Sequence, residues 1–183
     1  MILFGPMKSI VTLAAFSIAL SQSACVHQAA ATLDAAARPA VAQPSLIGAW
    51  RVLQFCNVDS AGVETYPHGD APNGVFVYTP TGQLSLHAMR TPPTPPFAAG
   101  DDAPTDAERR AMLEGYFGYF GTYTITSDST VVHHVAGGTI PSYIGTDQPR
   151  HYRIRAGGPN APDTLSIGGN YLALRCRKLV RVG

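Results

Sequence analysis

The chain has 183 residues, a formal net charge of +1 at pH 7, and 14% charged side chains against 45% hydrophobic ones. This balance excludes the basic face that nucleic-acid binding requires, so no nucleic-acid partner is expected. It also excludes a disordered, solvating chain, because the apolar content is sufficient to bury a core. The length favours one folded domain, and the 18 glycines and 15 prolines indicate many turns.

Residues 1–24 have the pattern of a secretory signal peptide rather than of a folded element. Lys8 is followed by the apolar run 10–20 and then by small polar residues, which are the three regions of an export signal. The run is too short for a membrane span, which needs about 20 residues. We therefore expect an exported, periplasmic protein.

Cys25 directly follows this signal. Ser23-Ala24-Cys25 resembles a bacterial lipobox, in which the cysteine is lipidated and becomes the mature N-terminus. Ordinary cleavage near Ser23 or Ala24 is the alternative. Residues 25–44 are rich in Ala and Pro and contain no Phe, Trp or Tyr, which is typical of a tether. On the first interpretation the protein is a lipoprotein, and its lipid anchor makes the membrane a partner.

Residues 45–183 are predicted to form one all-β domain. Short runs with period-two alternation, separated by turn residues, are typical of the strands of a sandwich or a barrel. Eight such runs are present, at residues 50–56, 74–79, 83–89, 121–126, 130–136, 150–155, 164–167 and 171–180.

One segment interrupts this series of strands. The proline-rich residues 91–104 cannot take part in a sheet ladder and are predicted to form a surface loop. Thr105 and Glu108 have the spacing of a capping box, and apolar residues at helical spacing predict one inserted amphipathic helix over residues 105–118. The apolar residues are Met112, Leu113, Tyr116, Phe117 and Phe120. We expect the loop and the helix to form a lid over one end of the barrel.

Cys56 and Cys176 are the two cysteines of this domain. In an oxidising compartment they can form a disulfide with each other. Alternatively, each is a small buried hydrophobic residue.

The start of the domain, Gly48-Ala49-Trp50, resembles the Gly-x-Trp of the first strand of the lipocalins. In that fold a basic residue of the last strand covers the Trp ring, and Arg175 or Arg177 stands where this residue is needed. A longer series of segments is similar to the bacterial and fungal lipocalin-like domain family. These segments are residues 46–51, 66–67, 74–80, 89–90, 95–97, 115–123, 131–135 and 145–150.

The resemblance implies an eight-stranded antiparallel barrel of calycin type, with one inserted helix and a ligand-sized interior. It does not imply one activity, because related barrels include carriers and also cyclase- or isomerase-type enzymes. We expect no metal and no cofactor, because the sequence contains neither a closed set of metal ligands nor a phosphate-binding loop.

Several histidines, tyrosines and one arginine are candidates for the barrel interior. His133 and His134 are adjacent on one predicted strand, so one of them faces inward, and alternation does not decide which. The candidate catalytic groups are His133, His134 and Tyr123, since His and Tyr together can exchange protons with a neutral substrate. The candidate ligand contacts are Trp50, Tyr78, His87, Tyr119 and Arg150. Arg150 could hold a carboxylate or an enolate as a fork.

Three functions are compatible with this sequence. The leading one is the binding of a small, largely apolar molecule, hydrophobic or phenolic, in the barrel. The second is a cofactor-free enzyme of cyclase, isomerase or lyase type that uses Tyr and His in the same pocket. The third is a structural envelope lipoprotein whose barrel is filled by its own side chains, and such a protein would have no accessible cavity.

Overall fold

Eight strands close into an antiparallel barrel in the computed structural model, which describes residues 45–183. The predicted signal peptide (1–24), Cys25 and the tether (25–44) lie outside the described residues. The barrel strands are β1 (Gly48–Phe55), β4 (Asn73–Tyr78), β5 (Gln83–Met89), β6 (Tyr116–Ser127), β7 (Thr130–Gly138), β8 (Asp147–Arg155), β9 (Thr164–Gly168) and β10 (Arg177–Arg181). The strands β2 (Asn57–Val58) and β3 (Glu64–Thr65) form a separate small hairpin.

The barrel strands follow one another around the barrel in chain order, and β10 returns to pair with β1. Because every barrel strand has two neighbours, the barrel exposes no unpaired sheet edge. This architecture confirms the predicted eight-stranded antiparallel barrel. The last strand is shorter than predicted, because Ala173–Arg175 form a turn of 3-10 helix and β10 begins only at Arg177.

The single α-helix of residues 45–183, α1, spans Asp106–Glu114 and begins with the predicted capping box. The Thr105 hydroxyl accepts a hydrogen bond from the Glu108 backbone N–H at 3.3 Å, and the Glu108 carboxylate accepts one from the Thr105 N–H at 2.7 Å. None of its residues is buried, and of the five apolar residues expected on one face only Met112 and Leu113 lie on the helix. Within the described residues, no helix has the length and apolarity that crossing a membrane would require.

The predicted helix 105–118 is too long at its C-terminal end. The observed helix stops at Gly115, and the aromatic residues that suggested its continuation belong to β6. Tyr116 is opposite Met89 and Phe120 is opposite Ser85 in the ladder between β5 and β6. The backbone hydrogen bonds of this ladder therefore replace the helical ones, and the Phe120 side chain is left 55% exposed.

The core lies inside the barrel and is built by alternation of inward and outward side chains along the strands, most clearly on β5. On β5, Leu84, Leu86 and Ala88 are buried, whereas Ser85 and His87 are on the outer face. One glycine is needed for the barrel to close tightly. A Cβ atom at Gly121 would collide with the backbone carbonyl of His134, so β6 can approach β7 at this bulge only without a side chain.

One end of the barrel is closed by the residues around Trp50. The Trp50 indole N–H donates to the carbonyl oxygen of Leu46 at 2.8 Å, and the ring is fully buried. The Arg181 guanidinium lies 4.1 Å from the ring centroid and donates hydrogen bonds to the carbonyls of Ser45 and Ile47. The segment before β1 is thereby fixed across the end of the barrel.

The arginine over Trp50 is therefore Arg181, and not Arg175 or Arg177 as expected from the sequence. The register explains the difference, because Trp50 is opposite Arg181 in the ladder between β1 and β10. Arg177 is opposite Phe55 at the other end of β1, and its guanidinium lies 4.6 Å from the Phe55 ring. Arg175 instead forms a salt bridge with Glu64 at 3.0 Å.

Cys56 and Cys176 form a disulfide bond, with their Cα atoms 4.8 Å apart. Both side chains are fully buried. The bond connects the end of β1 to the segment just before β10, at the end of the barrel opposite Trp50. It spans 120 residues of sequence, so it ties together the first and last strands of the closed barrel.

Candidate ligand-binding cavity

A cavity of about 470 Å³ opens at the end of the barrel opposite Trp50, within the range of about 300–1,000 Å³ that is usual for small-molecule sites. All four chain connections at this end contribute to its mouth. They supply Pro67 and His68 (β3 to β4), Leu113 and Glu114 (β5 to β6), Ile140 and Tyr143 (β7 to β8), and Gly169 and Asn170 (β9 to β10).

The expected lid is only partly in place over this mouth. The C-terminal end of α1 reaches it with Leu113 and Glu114. The proline-rich loop does not, because Pro95, Pro96 and Phe97 line a separate hollow between the loop and the helix.

The floor of the cavity is formed by inward side chains of five strands. These side chains are Phe76, Leu86, Tyr119, His133 and Ile167, from β4, β5, β6, β7 and β9 respectively. All five are buried. The floor is thus apolar except for one histidine and one tyrosine, which are placed there by strand alternation.

His133 is the histidine that faces the interior, and it is 0% exposed. Its Nε2 atom lies 3.0 Å from the Tyr78 hydroxyl, and its Nδ1 atom lies 2.6 Å from the Tyr119 hydroxyl. His134 is on the outside of the barrel, where its Nδ1 atom lies 2.6 Å from the Asp147 carboxylate. The structure therefore decides between the two histidines, which the sequence left open.

The interior Tyr78–His133–Tyr119 group is uncharged near neutral pH. Burial, with the positive charge of Arg150 and a smaller effect of His134, lowers the pKa of His133 to about 3. Burial also raises the pKa of both tyrosine hydroxyls. The pKa of Tyr78 lies well above the usual value of a tyrosine. A neutral imidazole donates from one nitrogen and accepts at the other, so one tyrosine donates to His133 and the other accepts from it.

Two arginines line the cavity wall, Arg150 on β8 and Arg177 on β10. Arg150 donates to the Gln148 side-chain oxygen at 3.2 Å and to the Pro149 carbonyl at 2.9 Å. Its guanidinium lies 5.5 Å from the centroid of the Tyr143 ring. Burial and the nearby charge of Arg150 lower the pKa of Arg177. The sequence did not indicate Arg177 as a cavity residue, although its inward position follows from the alternation of β10 once the register is known.

His68 is a second cavity residue that the sequence did not reveal. It is 5% exposed and its ring packs edge-on against Phe55 with centroids 5.0 Å apart. Its Nδ1 atom is buried without a hydrogen-bond partner among residues 45–183, and burial lowers its pKa. The one signal that could have indicated it is its position directly after the Tyr66-Pro67 segment.

Five of the predicted site residues do not line the cavity, and His134 on the outside of the barrel is one of them. Tyr78 lies behind His133, and Trp50 lies at the closed end. The Tyr123 hydroxyl donates to the Thr79 carbonyl at 2.6 Å, in the turn between β4 and β5. His87 is on the outer face of β5, where it contacts Ser85 at 2.7 Å and the Tyr116 hydroxyl. Of the predicted catalytic residues, only His133 is a cavity residue.

One group of potential metal ligands is present among the described residues. Cys56, Glu64 and Cys176 place ligand atoms within 4.8 Å of one another. The two sulfur atoms are joined in the disulfide, so they cannot act as thiolate ligands. A metal at this position would require reduction of that bond.

A closed, up-and-down antiparallel barrel with one sealed end and a cavity at the other defines a barrel of calycin type. Within that class, the chain belongs to the lipocalin-like domain family, whose model matches residues 47–175. This match confirms the resemblance carried by the segments between residues 46 and 150. No curated protein matches the chain.

Proposed function

We propose that this protein binds a small organic molecule in the cavity at the open end of the barrel. The observation that carries the proposal is a ligand-sized space of about 470 Å³ above a floor of buried side chains. The opposite end is sealed by Trp50 and Arg181. A barrel filled by its own side chains would leave no such space, which argues against a purely structural role.

The lining combines apolar surfaces with a few polar groups, as ligand pockets usually do. Phe55, Phe76 and Leu86 offer rings and methyl groups to the body of a ligand. The Tyr119 hydroxyl and the Arg150 guanidinium offer hydrogen-bond donors that can fix its orientation. The pocket is more strongly charged than the largely apolar one expected from the sequence.

Binding explains the cavity better than cofactor-free catalysis does. A general base works best when its pKa lies near the operating pH, and the pKa of His133 is about 3. His134 and Tyr123, the other predicted catalytic groups, point away from the cavity. For this reason we propose a binding protein rather than a cyclase, isomerase or lyase.

Export and lipid anchoring through Cys25 complete the proposal. They are supported by the signal-like residues 1–24 and the lipobox-like Ser23-Ala24-Cys25. The test is the mass of the mature N-terminus, together with membrane fractionation of the protein and its Cys25→Ser variant. Unmodified Cys25, or a wild type that fractionates like the variant, would refute the anchor.

The binding test uses the full chain, a panel of hydrophobic and phenolic compounds, and native mass spectrometry of both the bound fraction and the free products. The Ile140→Trp variant narrows the cavity mouth, where Ile140 is part of the lining. The matched control is Ile125→Trp, because Ile125 is an exposed residue of β6. We expect Ile140→Trp to weaken binding at least about tenfold and Ile125→Trp to leave it unchanged.

Three results would contradict the proposal. If no compound binds, or if both tryptophan variants bind as the wild type does, the cavity is not the site. If a bound compound is instead released as a new product over many turnovers, the protein is an enzyme.

A further inference from the structure

The two cavity arginines lie on the same stretch of wall. The strands β8, β9 and β10 are neighbours in the barrel, with Tyr152 opposite Ile167 and Lys178 opposite Ser166. Arg150 and Arg177 occupy inward positions near the cavity end of β8 and β10, and the inward Ile167 of β9 lies between the two strands. Both guanidinium groups therefore border one space.

Neither of these guanidinium groups has an acidic partner among residues 45–183. Within residues 45–183, the contacts of Arg150 are with uncharged groups, namely an amide oxygen, a backbone carbonyl and the Tyr119 side chain. Arg177 packs its face against Phe55 without a side-chain hydrogen bond to any of these residues. The third half-buried arginine of the described residues, Arg181, is paired with Asp163 at 2.9 Å. Partly buried, unpaired charges are costly for a folded protein, and here they are confined to the cavity.

We infer that the cavity takes a small organic acid, whose carboxylate lies between the guanidinium groups of Arg150 and Arg177. This inference rests on the proposed binding function and names its ligand class. The planar guanidinium fork matches a carboxylate and forms short, charge-assisted hydrogen bonds with it. A neutral phenol or hydrocarbon would leave both charges unpaired in the same space.

The rest of the lining indicates that this acid has an apolar body. Phe76 and Leu86 of the floor and Phe55 of the wall present apolar surface to the same space. An inorganic anion would neutralise the arginines but would leave this surface in contact with water. The combination of a charged wall and an apolar floor therefore favours an aromatic or aliphatic acid.

The test compares matched acids and amides by titration calorimetry on the full chain. The probes are 2-naphthoate and decanoate, each against its uncharged amide. We expect each acid to bind at least about tenfold more tightly than its amide, as one charge-assisted contact predicts. Arg150→Gln and Arg177→Gln should each remove most of this preference, because each weakens the binding of the acid more than that of its amide. The control Arg153→Gln changes an exposed arginine of β8 and should have no effect.

A second variant separates a ligand contact from a structural one. Arg177→Met keeps an apolar stem near Phe55 but removes the unpaired charge. We expect the ligand-free variant to have a higher Tm than the wild type and to lose its preference for the acid. A lower Tm would show that the charge of Arg177 stabilises the fold itself, which would contradict the inference.

The outcomes distinguish this inference from the proposed function. If acids and amides bind equally, and Ile140→Trp blocks both, the cavity binds ligands but the assignment of an organic acid is wrong. If inorganic sulfate raises the Tm as much as 2-naphthoate does, the site recognises anions without an apolar body, which also overturns the assignment. If neither acids nor amides bind, the inference fails, and failure of the wider compound panel as well would refute the proposed function.

Discussion

The neutral state of His133 makes acid stability a quantitative test of the barrel interior. The pKa of His133 is about 3 in the folded protein, whereas an unperturbed histidine has a pKa of about 6.5. Between these values the unfolded chain binds more protons than the folded one, so the free energy of unfolding falls as the pH falls. The contribution of neutral His133 to the free energy of unfolding is fully present above pH 6.5. Below that pH it falls by up to 1.36 kcal/mol per pH unit, so about 3 kcal/mol is lost between pH 6.5 and pH 4.

The assay is urea unfolding at a series of pH values, followed by the fluorescence of Trp50. Trp50 is the only tryptophan of the chain, and it is fully buried at the closed end, so it reports unfolding of the barrel. His133→Gln should reduce the stability at pH 7 by about 1–3 kcal/mol, because the Tyr78 and Tyr119 hydroxyls lose a buried partner.

The decisive quantity is the pH dependence and not the stability at one pH. The carboxylates of Glu108 and Asp163, whose pKa values are lowered in the fold, contribute equally to the wild type and the variants. The difference in slope between the wild type and His133→Gln therefore isolates His133. Thr122→Val, which changes an exposed and non-titrating residue of the neighbouring strand β6, should keep the slope of the wild type. If His133→Gln keeps it too, His133 is not a buried neutral group and the reasoning is refuted.

Three further changes test the ends and the closure of the barrel by the same unfolding assay. Cys176→Ser removes the disulfide and should cost about 2–5 kcal/mol; an unchanged stability in the absence of reductant would show that the bond does not form. Arg181→Gln removes the ring contact and the hydrogen bonds that hold the segment before β1, and a loss of about 1–3 kcal/mol is expected; a change within error would mean that this end closes without it. Gly121→Ala directs a Cβ atom at the backbone of β7 and should cost about 1–3 kcal/mol, whereas the control Gly158→Ala places its Cβ in open space; equal effects of the two would disprove the close approach.

The strands could be predicted from the sequence because the alternation of apolar and polar residues is visible within each strand. On β5 the apolar Leu84, Leu86 and Ala88 alternate with polar neighbours, and such a pattern has no helical interpretation. The aromatic residues after Met112, in contrast, are compatible with a helix and with a strand. Tyr116 and Phe120 are spaced as on a helix, yet β5 supplies a pairing partner for each, and this long-range choice is invisible in a local pattern.

The site was harder to predict because its residues depend on the strand register and on which of two adjacent residues points into the barrel. His133 and His134 differ by one position, and a one-residue shift would exchange the buried and the exposed ring. The same applies to the last strand, where Arg177 and Arg181 both face inward but lie at opposite ends of the barrel. The sequence shows basic residues near its C-terminus without showing which of them meets Trp50 and which meets the cavity.

Arginine has two different roles at the two ends of this barrel, and its charge partner distinguishes them. Arg181 has a carboxylate, two carbonyls and an indole ring around it, so its charge is satisfied by the fold and contributes to stability. Among residues 45–183, the Arg177 guanidinium contacts the face of Phe55 and has no charge partner, so its charge remains for a ligand to satisfy. An acid that binds there must raise the stability of the folded state by RT ln(1 + [L]/Kd), about 2.7 kcal/mol at a concentration of one hundred Kd. This gain should vanish in Arg177→Met and persist in Arg181→Gln, because only the first substitution removes an unpaired charge from the cavity.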